Sequence, residues 1–464
     1  MPRGLDLEGK RVLVVGLART GIATALFCAA RGTRVTATED RGEADVAEAA
    51  AKLRAAGCTL ELGGHRPETF LEKDLIVPSP GVPADMPYLA AARAASIPVW
   101  SEIELAWRFL RGKLIAITGS NGKTTTTSLI AHILEKAGVP TIVAGNIGTP
   151  LISRVMETST QTVTVLEVSS FQLELIEKFR ADISLLLNLT PDHLDRHPSL
   201  EAYASAKARI FENQVEDDAA IINADDPGAS QYAPTRPQLF WFSRTKRVAS
   251  GIFLRDDQIL LRRDGSETVL LRRGDIGLRG EHNVENVMAA AGAAFLAGVG
   301  PQKIATGVRS FAGVEHRLEF VAEINGVSFY NDSKATNVDA TLKALDAFAG
   351  GLFVILGGKD KGGDFTLLRE PLHQRAKRVL LIGAAAEKIE VQIAGAVPCE
   401  AAGTIENAVR RAFQTASPGD TILLAPACAS FDQFNNYEHR GRVFKQRVRQ
   451  LEEECAAGEH VRAS

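Results

Sequence analysis

The residue types best suited to chemistry sit in Gly119-Ser-Asn-Gly-Lys-Thr-Thr125, directly after the apolar run Lys113-Leu-Ile-Ala-Ile-Thr118. A glycine-rich turn ahead of a helix N-terminus points several backbone N–H groups at one spot, a nest for phosphate oxygens. Lys123 adds a cation for the β and γ phosphates, and the Thr124 hydroxyl can ligate Mg2+. The common form of this loop carries a glycine where this chain has Ile117, so the loop is a variant. It reads as an ATP site. Such a loop needs a metal-holding acid on a neighbouring strand, and open α/β sheets bind ligands along the C-terminal strand edge. Glu167, closing Val163-Thr-Val-Leu-Glu167, supplies one, although a strand-end glutamate can also be simply solvated. Asn188-Leu-Thr-Pro-Asp192-His193-Leu-Asp195-Arg196 is a second polar strand end, in which His193 can be a ligand or an ordinary loop histidine. Lys207, in mid-helix within Tyr203-Ala-Ser-Ala-Lys207-Ala-Arg209, reads from pattern alone as a surface lysine.

The first part of the chain repeats the strand–glycine–helix logic. Gly16-Leu-Ala18-Arg-Thr-Gly21 follows the strand pattern Arg11-Val-Leu-Val-Val15, and Glu39-Asp40 comes some twenty residues later, which imitates a dinucleotide fingerprint. Ala18 stands at the second glycine position, where a side chain restricts backbone approach to a pyrophosphate. NAD is therefore weakly signalled, while the helix N-terminus remains suited to a diphosphate.

These groups must be held by elements, and short apolar runs alternate with helical stretches along nearly the whole chain, the pattern of parallel α/β architecture. Strands are predicted near 11–15, 33–38 and 75–77, then 113–118, 140–144, 162–168, 183–189 and 219–223, and finally 327–330, 352–356, 379–382 and 422–425. Between 251 and 278, short alternating segments separated by Asp256-Asp257 and Asp264-Gly265 predict a small antiparallel meander, followed by an alanine-rich helix from Asn286 to Leu296. The fold expected is three consecutive α/β domains, a Rossmann-like N-terminal domain (1–102), a central phosphate-loop ATPase (103–312) and a Rossmann-like C-terminal domain (313–464). The end after Cys455 is expected to fray.

Composition bounds the function. The 464 residues carry 53 lysines and arginines against 56 acids, which argues against a dedicated nucleic-acid binder or a polybasic membrane-surface protein. Five scattered cysteines without a C-x-x-C pair disfavour a disulfide framework and a zinc site, and fit a reducing cytoplasm. No run approaches the ~18 apolar residues of a membrane span. A monomer is expected.

Taken together, Thr118–Thr125, Gly145-Asn146-Ile-Gly148, Glu167-Val-Ser-Ser-Phe-Gln172-Leu-Glu174 and Asp192-His-Leu-Asp-Arg196 resemble the Mur ligase family in order and spacing. Glu281-His-Asn283-Val-Glu-Asn286, Glu315-His-Arg317, Asp332-Ser-Lys-Ala-Thr336-Asn and Pro426-Ala-Cys-Ala-Ser430-Phe-Asp-Gln-Phe434 complete the series, which spans roughly residues 11 to 445. The resemblance implies a ligase that makes a peptide bond at the expense of ATP, in a cytoplasmic step of peptidoglycan precursor synthesis. It implies UDP-N-acetylmuramoyl-L-alanine and D-glutamate as substrates, an acyl-phosphate intermediate and two Mg2+ ions.

The family's site residues carry over as follows. Gly119, Ser120, Asn121, Gly122, Lys123, Thr124 and Thr125 resemble the phosphate loop. Glu167 with Thr124 resembles one Mg2+ site, and His193 with a carbamylated Lys207 the second. A carbamate is an anion and can hold metal, which an ammonium cannot. Asn146 resembles a residue beside the γ-phosphate, Asn283 and Asn286 resemble adenine or ribose contacts, and Arg317 and Asp332 resemble nucleotide contacts from the C-terminal domain. Lys334, Thr336, Lys361, Ser430, Phe431 and Tyr437 sit where the family binds the incoming glutamate, while Thr20, Arg41 and Ser79 are contacts for the UDP moiety. Sites drawn from three domains imply closure around hinges near 102 and 312. The alternatives are a relative adding another amino acid, including a folylpolyglutamate-type enzyme, and an NAD-dependent dehydrogenase using Gly16–Gly21.

Overall fold

The computed structural model describes residues 4–146, 148–190 and 196–458. The chain divides into two compact units, Met1–Ile276 with Val284–Phe311, and Gly277–Asn283 with Ala312–Ser464.

The first unit holds two sheets. β1 (Arg11–Val15), β2 (Arg34–Glu39), β3 (Thr59–Leu62) and β4 (Leu75–Pro78) form a parallel sheet in the order β3-β2-β1-β4. The second sheet contains β5 (Lys113–Thr118), β6 (Thr141–Gly145), β7 (Val163–Glu167), β8 (Ile183–Leu186), β9 (Ala219–Asn223), β10 (Gln238–Ser243), β11 (Gly251–Arg255), β12 (Gln258–Arg263) and β13 (Ser266–Arg272). Its order is β13-β12-β11-β10-β9-β8-β5-β7-β6. β7, β8 and β9 are buried on every residue, which is why they read as continuous apolar runs. The expected meander is present as the antiparallel β11-β12-β13, and it joins the parallel sheet through β10, a strand the sequence reading omitted.

Register sets the site. Ile117 of β5 and Gly145 of β6 both lie opposite Glu167 of β7, so three strand ends release their loops side by side. Helix Glu102–Trp107 lies between the two sheets in sequence and is locked by buried acids. Glu104 accepts the backbone N–H groups of Glu177, Lys178 and Phe179, and Glu102 accepts that of Ile152 at 2.6 Å.

The second unit contains β14 (Glu319–Ile324), β15 (Val327–Asn331), β16 (Leu352–Gly357), β17 (Ala376–Ile382), β18 (Cys399–Gly403) and β19 (Thr421–Leu424), in the order β14-β15-β19-β16-β17-β18. The pairing is parallel except for β14 with β15. β3, β14 and β18 were not expected. They are edge strands with partly exposed side chains, and Thr59-Leu-Glu-Leu or Cys399-Glu-Ala-Ala-Gly carries no apolar run to announce them. The alanine-rich helix begins at Glu281, ahead of the expected Asn286; its first residues, Glu281-His-Asn-Val-Glu, are mostly polar and carry no apolar run to mark the start. Among the described residues no helix is long and apolar enough to cross a membrane.

Candidate active site

The turn after β5 enters helix Lys123–Lys136 through Gly122, whose φ is +81°. A Cβ there would lie 2.2 Å from Asn286 Oδ1, so glycine is required both by the backbone and by the helix crossing over it. The loop is fixed from the strand end that follows β8. Ser120 N donates to Asn188 O at 3.0 Å, Asn121 N to Asn188 Oδ1 at 2.8 Å, and Ser120 Oγ to Thr190 O at 2.9 Å. Lys123 Nζ folds back on the carbonyls of Gly119 (2.7 Å) and Ser120 (2.8 Å), holding its charge inside the loop. Thr124 and Thr125 occupy the first helical turn. Asn286 Oδ1 also accepts from Thr126 Oγ1 at 3.3 Å.

Glu167 is 2% exposed. Its Oε1 accepts from Asn146 Nδ2 at 3.0 Å, and its Oε2 is buried with no partner among the described residues. Burying a carboxylate oxygen without a partner is costly, and a cation removes the cost, so this acid beside Thr124's loop fits a Mg2+ ligand. Among the described residues no cluster of three His, Cys, Asp or Glu side chains stands ready for a metal. His193 lies outside the described residues.

Lys207 corrects the reading made from pattern alone. It is 2% exposed, with Nζ 3.4 Å from Thr118 Oγ1 and 4.6 Å from the centre of the Tyr203 ring. Helix Leu200–Ala208 is alanine-rich on all sides, so its sequence does not mark which face is buried.

A cavity of about 490 Å³ opens beside this edge, with Arg19, Thr20, Arg41, Ser79, Asn146 and Gly148 on its wall. The structure thus brings together the three residues expected there, and adds Arg19, which the sequence reading passed over. Ser79 Oγ donates to Gly16 O at 2.9 Å. Glu39, the acid of the apparent dinucleotide fingerprint, accepts from Leu17 N at 2.7 Å and from both Arg41 Nε and Nη2. The Arg41 guanidinium pulls its carboxyl down to about 2. The carboxylate is thus committed to the loop and to Arg41, which removes the main support for the NAD alternative.

In the second unit Lys334 Nζ lies 4.0 Å over the Tyr437 ring. Ser430 is buried, whereas Lys361 and Phe431 are exposed. Thr336 N donates to Lys334 O at 2.8 Å. Asp332 is buried and its carboxyl is pushed up to about 7 by desolvation, against the pull of Arg317 and the Leu318 N–H. Asn283 Nδ2 donates to Arg279 O at 2.7 Å. Sequence reading missed Arg440. It is fully buried and donates to Ser333 Oγ (3.0 Å), Ser333 O (2.8 Å) and Cys428 O (3.0 Å), tying the Lys334 segment to the Ser430 segment. Only an arginine within a polar helical start, Tyr437-Glu-His-Arg440, marked it in sequence.

Three family models cover most of the chain. The N-terminal domain of MurD-like Mur ligases matches residues 10–101, the Mur ligase middle domain 117–294, and the Mur ligase glutamate ligase domain 316–428. The chain belongs to the Mur ligase family, and it is an ATP-dependent ligase with that family's three-domain architecture. Within the family it is similar to UDP-N-acetylmuramoylalanine–D-glutamate ligases. That of Koribacter versatilis is 53% identical over 97% of this chain and 99% of its own length. That of Solibacter usitatus is 55% identical over 97% of this chain and 99% of its own. In fold, the MurF ligase of Thermotoga maritima matches with a TM-score of 0.60 over 96% of each chain, at 15% identity.

Proposed function

We propose that this chain joins D-glutamate to UDP-N-acetylmuramoyl-L-alanine at the expense of ATP, through an acyl phosphate, and that it works as a monomer of three domains bounded near 102 and 312. The observation that carries the reading is the position of Asn146. It lines the cavity suited to the nucleotide-sugar and donates to Glu167 beside the phosphate loop, so the end of a substrate in that cavity meets the end of a triphosphate in that loop.

Two anions must approach each other there. The nest of Gly119–Thr125 holds the phosphate chain, and Lys123 spreads positive charge along it. Thr124 and Glu167, and His193 with a carbamylated Lys207, would hold Mg2+, which would further neutralise the approaching charges. Asn146 orients the alanyl carboxylate. A carboxylate oxygen attacks the γ-phosphorus in line, the bond to the β-bridging oxygen breaks, and ADP leaves. Lys334, Thr336, Lys361, Ser430, Phe431 and Tyr437 hold D-glutamate, with Lys334 and Lys361 answering its two carboxylates. The glutamate amine then attacks the acyl carbon, loses a proton, and inorganic phosphate departs. Asn283, Asn286, Arg317 and Asp332 hold the nucleoside and phosphates of ATP.

Trapping tests the chemistry. With ATP, Mg2+ and UDP-N-acetylmuramoyl-L-alanine but no D-glutamate, added hydroxylamine should yield one hydroxamate of the sugar nucleotide per ADP formed. ADP formation without hydroxamate contradicts the acyl phosphate.

A further inference from the structure

Arg19 takes no part in that chemistry, and its setting is unusual. It is the first residue of helix Arg19–Ala29, at the positive end of the helix dipole, where a cation is disfavoured. Its side chain is exposed, while its backbone is set by packing. Gly21 packs so close to the turn after β1 that a Cβ would fall 1.8 Å from Gly16 O, which fixes the helix start at the cavity rim.

Two cations stand on the described wall of that cavity, and they differ. Arg41 is paired with Glu39 through two hydrogen bonds of 3.2 and 3.0 Å, so its charge is already answered. Arg19 faces no carboxylate among the described residues. Its Nη1 donates instead to the carbonyl of Gly148 at 2.5 Å, in the loop between β6 and helix Leu151–Arg154. That loop carries Asn146. A neutral carbonyl is a weaker acceptor for a guanidinium than an anionic phosphate oxygen, which takes shorter and roughly twice stronger hydrogen bonds.

We propose that Arg19 is a clasp with two alternative acceptors. In the empty cavity it holds the Gly148 carbonyl. When a nucleotide-sugar enters, it transfers to the diphosphate bridge and releases that carbonyl. Arg19 is then both a specificity contact for the anionic bridge and a link between occupancy of the cavity and the segment bearing Asn146. The inference rests on the reading of this cavity as the nucleotide-sugar site.

The test uses the full-length enzyme and calorimetric titration of UDP-N-acetylmuramoyl-L-alanine, UDP and uridine into wild type, Arg19→Lys and Arg19→Leu. Arg19→Leu should bind both diphosphates about tenfold or more weakly, with uridine within about twofold of wild type. Arg19→Lys should fall between, since an ammonium keeps the charge but loses the fork. In the empty enzyme, hydrogen exchange across residues 145–152 should be faster in Arg19→Leu. Unchanged diphosphate affinity, or a loss shared equally by uridine, overturns the bridge contact. Unchanged exchange overturns the clasp on Gly148. Wild type binding none of the three ligands overturns the nucleotide-sugar reading itself, and the clasp with it.

Discussion

At the scale of single residues, Lys207 carries the sharpest consequence. Lys207 is 2% exposed, beside Thr118 and the Tyr203 ring, on the phosphate-loop side of the sheet. Conversion to a carbamate would turn it into an anion able to share a metal near Glu167. Lys207→Ala should therefore lose turnover by at least about a hundredfold, as loss of a major electrostatic contributor does. Short-chain carboxylates added to the assay should restore part of it. Unchanged turnover in Lys207→Ala contradicts the role. The phosphate loop and Glu167 were legible in the sequence because their chemistry is local: a glycine turn before a helix, an acid at a strand end. Lys207 and Arg440 were not. Their burial comes from the packing of helices whose alanine-rich or polar sequences mark no inward face.

At the scale of elements, strand order and register do what no single motif can. Gly145, Glu167 and Ile117 are brought level by parallel pairing across residues distant in sequence. The buried strands were readable from their apolar runs, while the edge strands β3, β14 and β18 were hidden by mixed composition. Helix Glu102–Trp107 adds an element whose role was also invisible in sequence. Glu102 is 1% exposed, accepts the Ile152 N–H at the start of helix Leu151–Arg154, and has a second oxygen with no partner among the described residues. Burial pushes its carboxyl up to about 7. A carboxyl whose folded pKa is raised contributes stability that is full below its unfolded value, near 4.5, and is lost as pH rises through 7. Glu102→Gln keeps the acceptor for Ile152 without the charge. It should match wild type near pH 4.5 and become more stable as pH rises, levelling off above 7 at a gain of roughly 3 kcal/mol at most. Denaturant titrations of both proteins from pH 4.5 to 8.5 check this. A constant difference across that range contradicts it.

At the scale of the whole molecule, family membership, the ATP-binding edge and the adjoining cavity converge on one reaction. The two alternatives separate cleanly. A dehydrogenase needs an acid free to meet a ribose, and Glu39 is held by Leu17 and Arg41. A relative adding a different amino acid would share the phosphate loop, so the ATP site does not discriminate between family members, and on the reading proposed above the groups around Lys334 and Ser430 would. The most direct measurement is phosphate release from ATP and Mg2+ by the purified protein across a substrate matrix. One axis holds UDP-N-acetylmuramoyl-L-alanine, the same nucleotide without alanine, and a reduced folate. The other holds D-glutamate, L-glutamate and a diamino acid. Release is expected with UDP-N-acetylmuramoyl-L-alanine plus D-glutamate and with no other pair; release with a different pair, or silence throughout, contradicts D-glutamate addition by this chain.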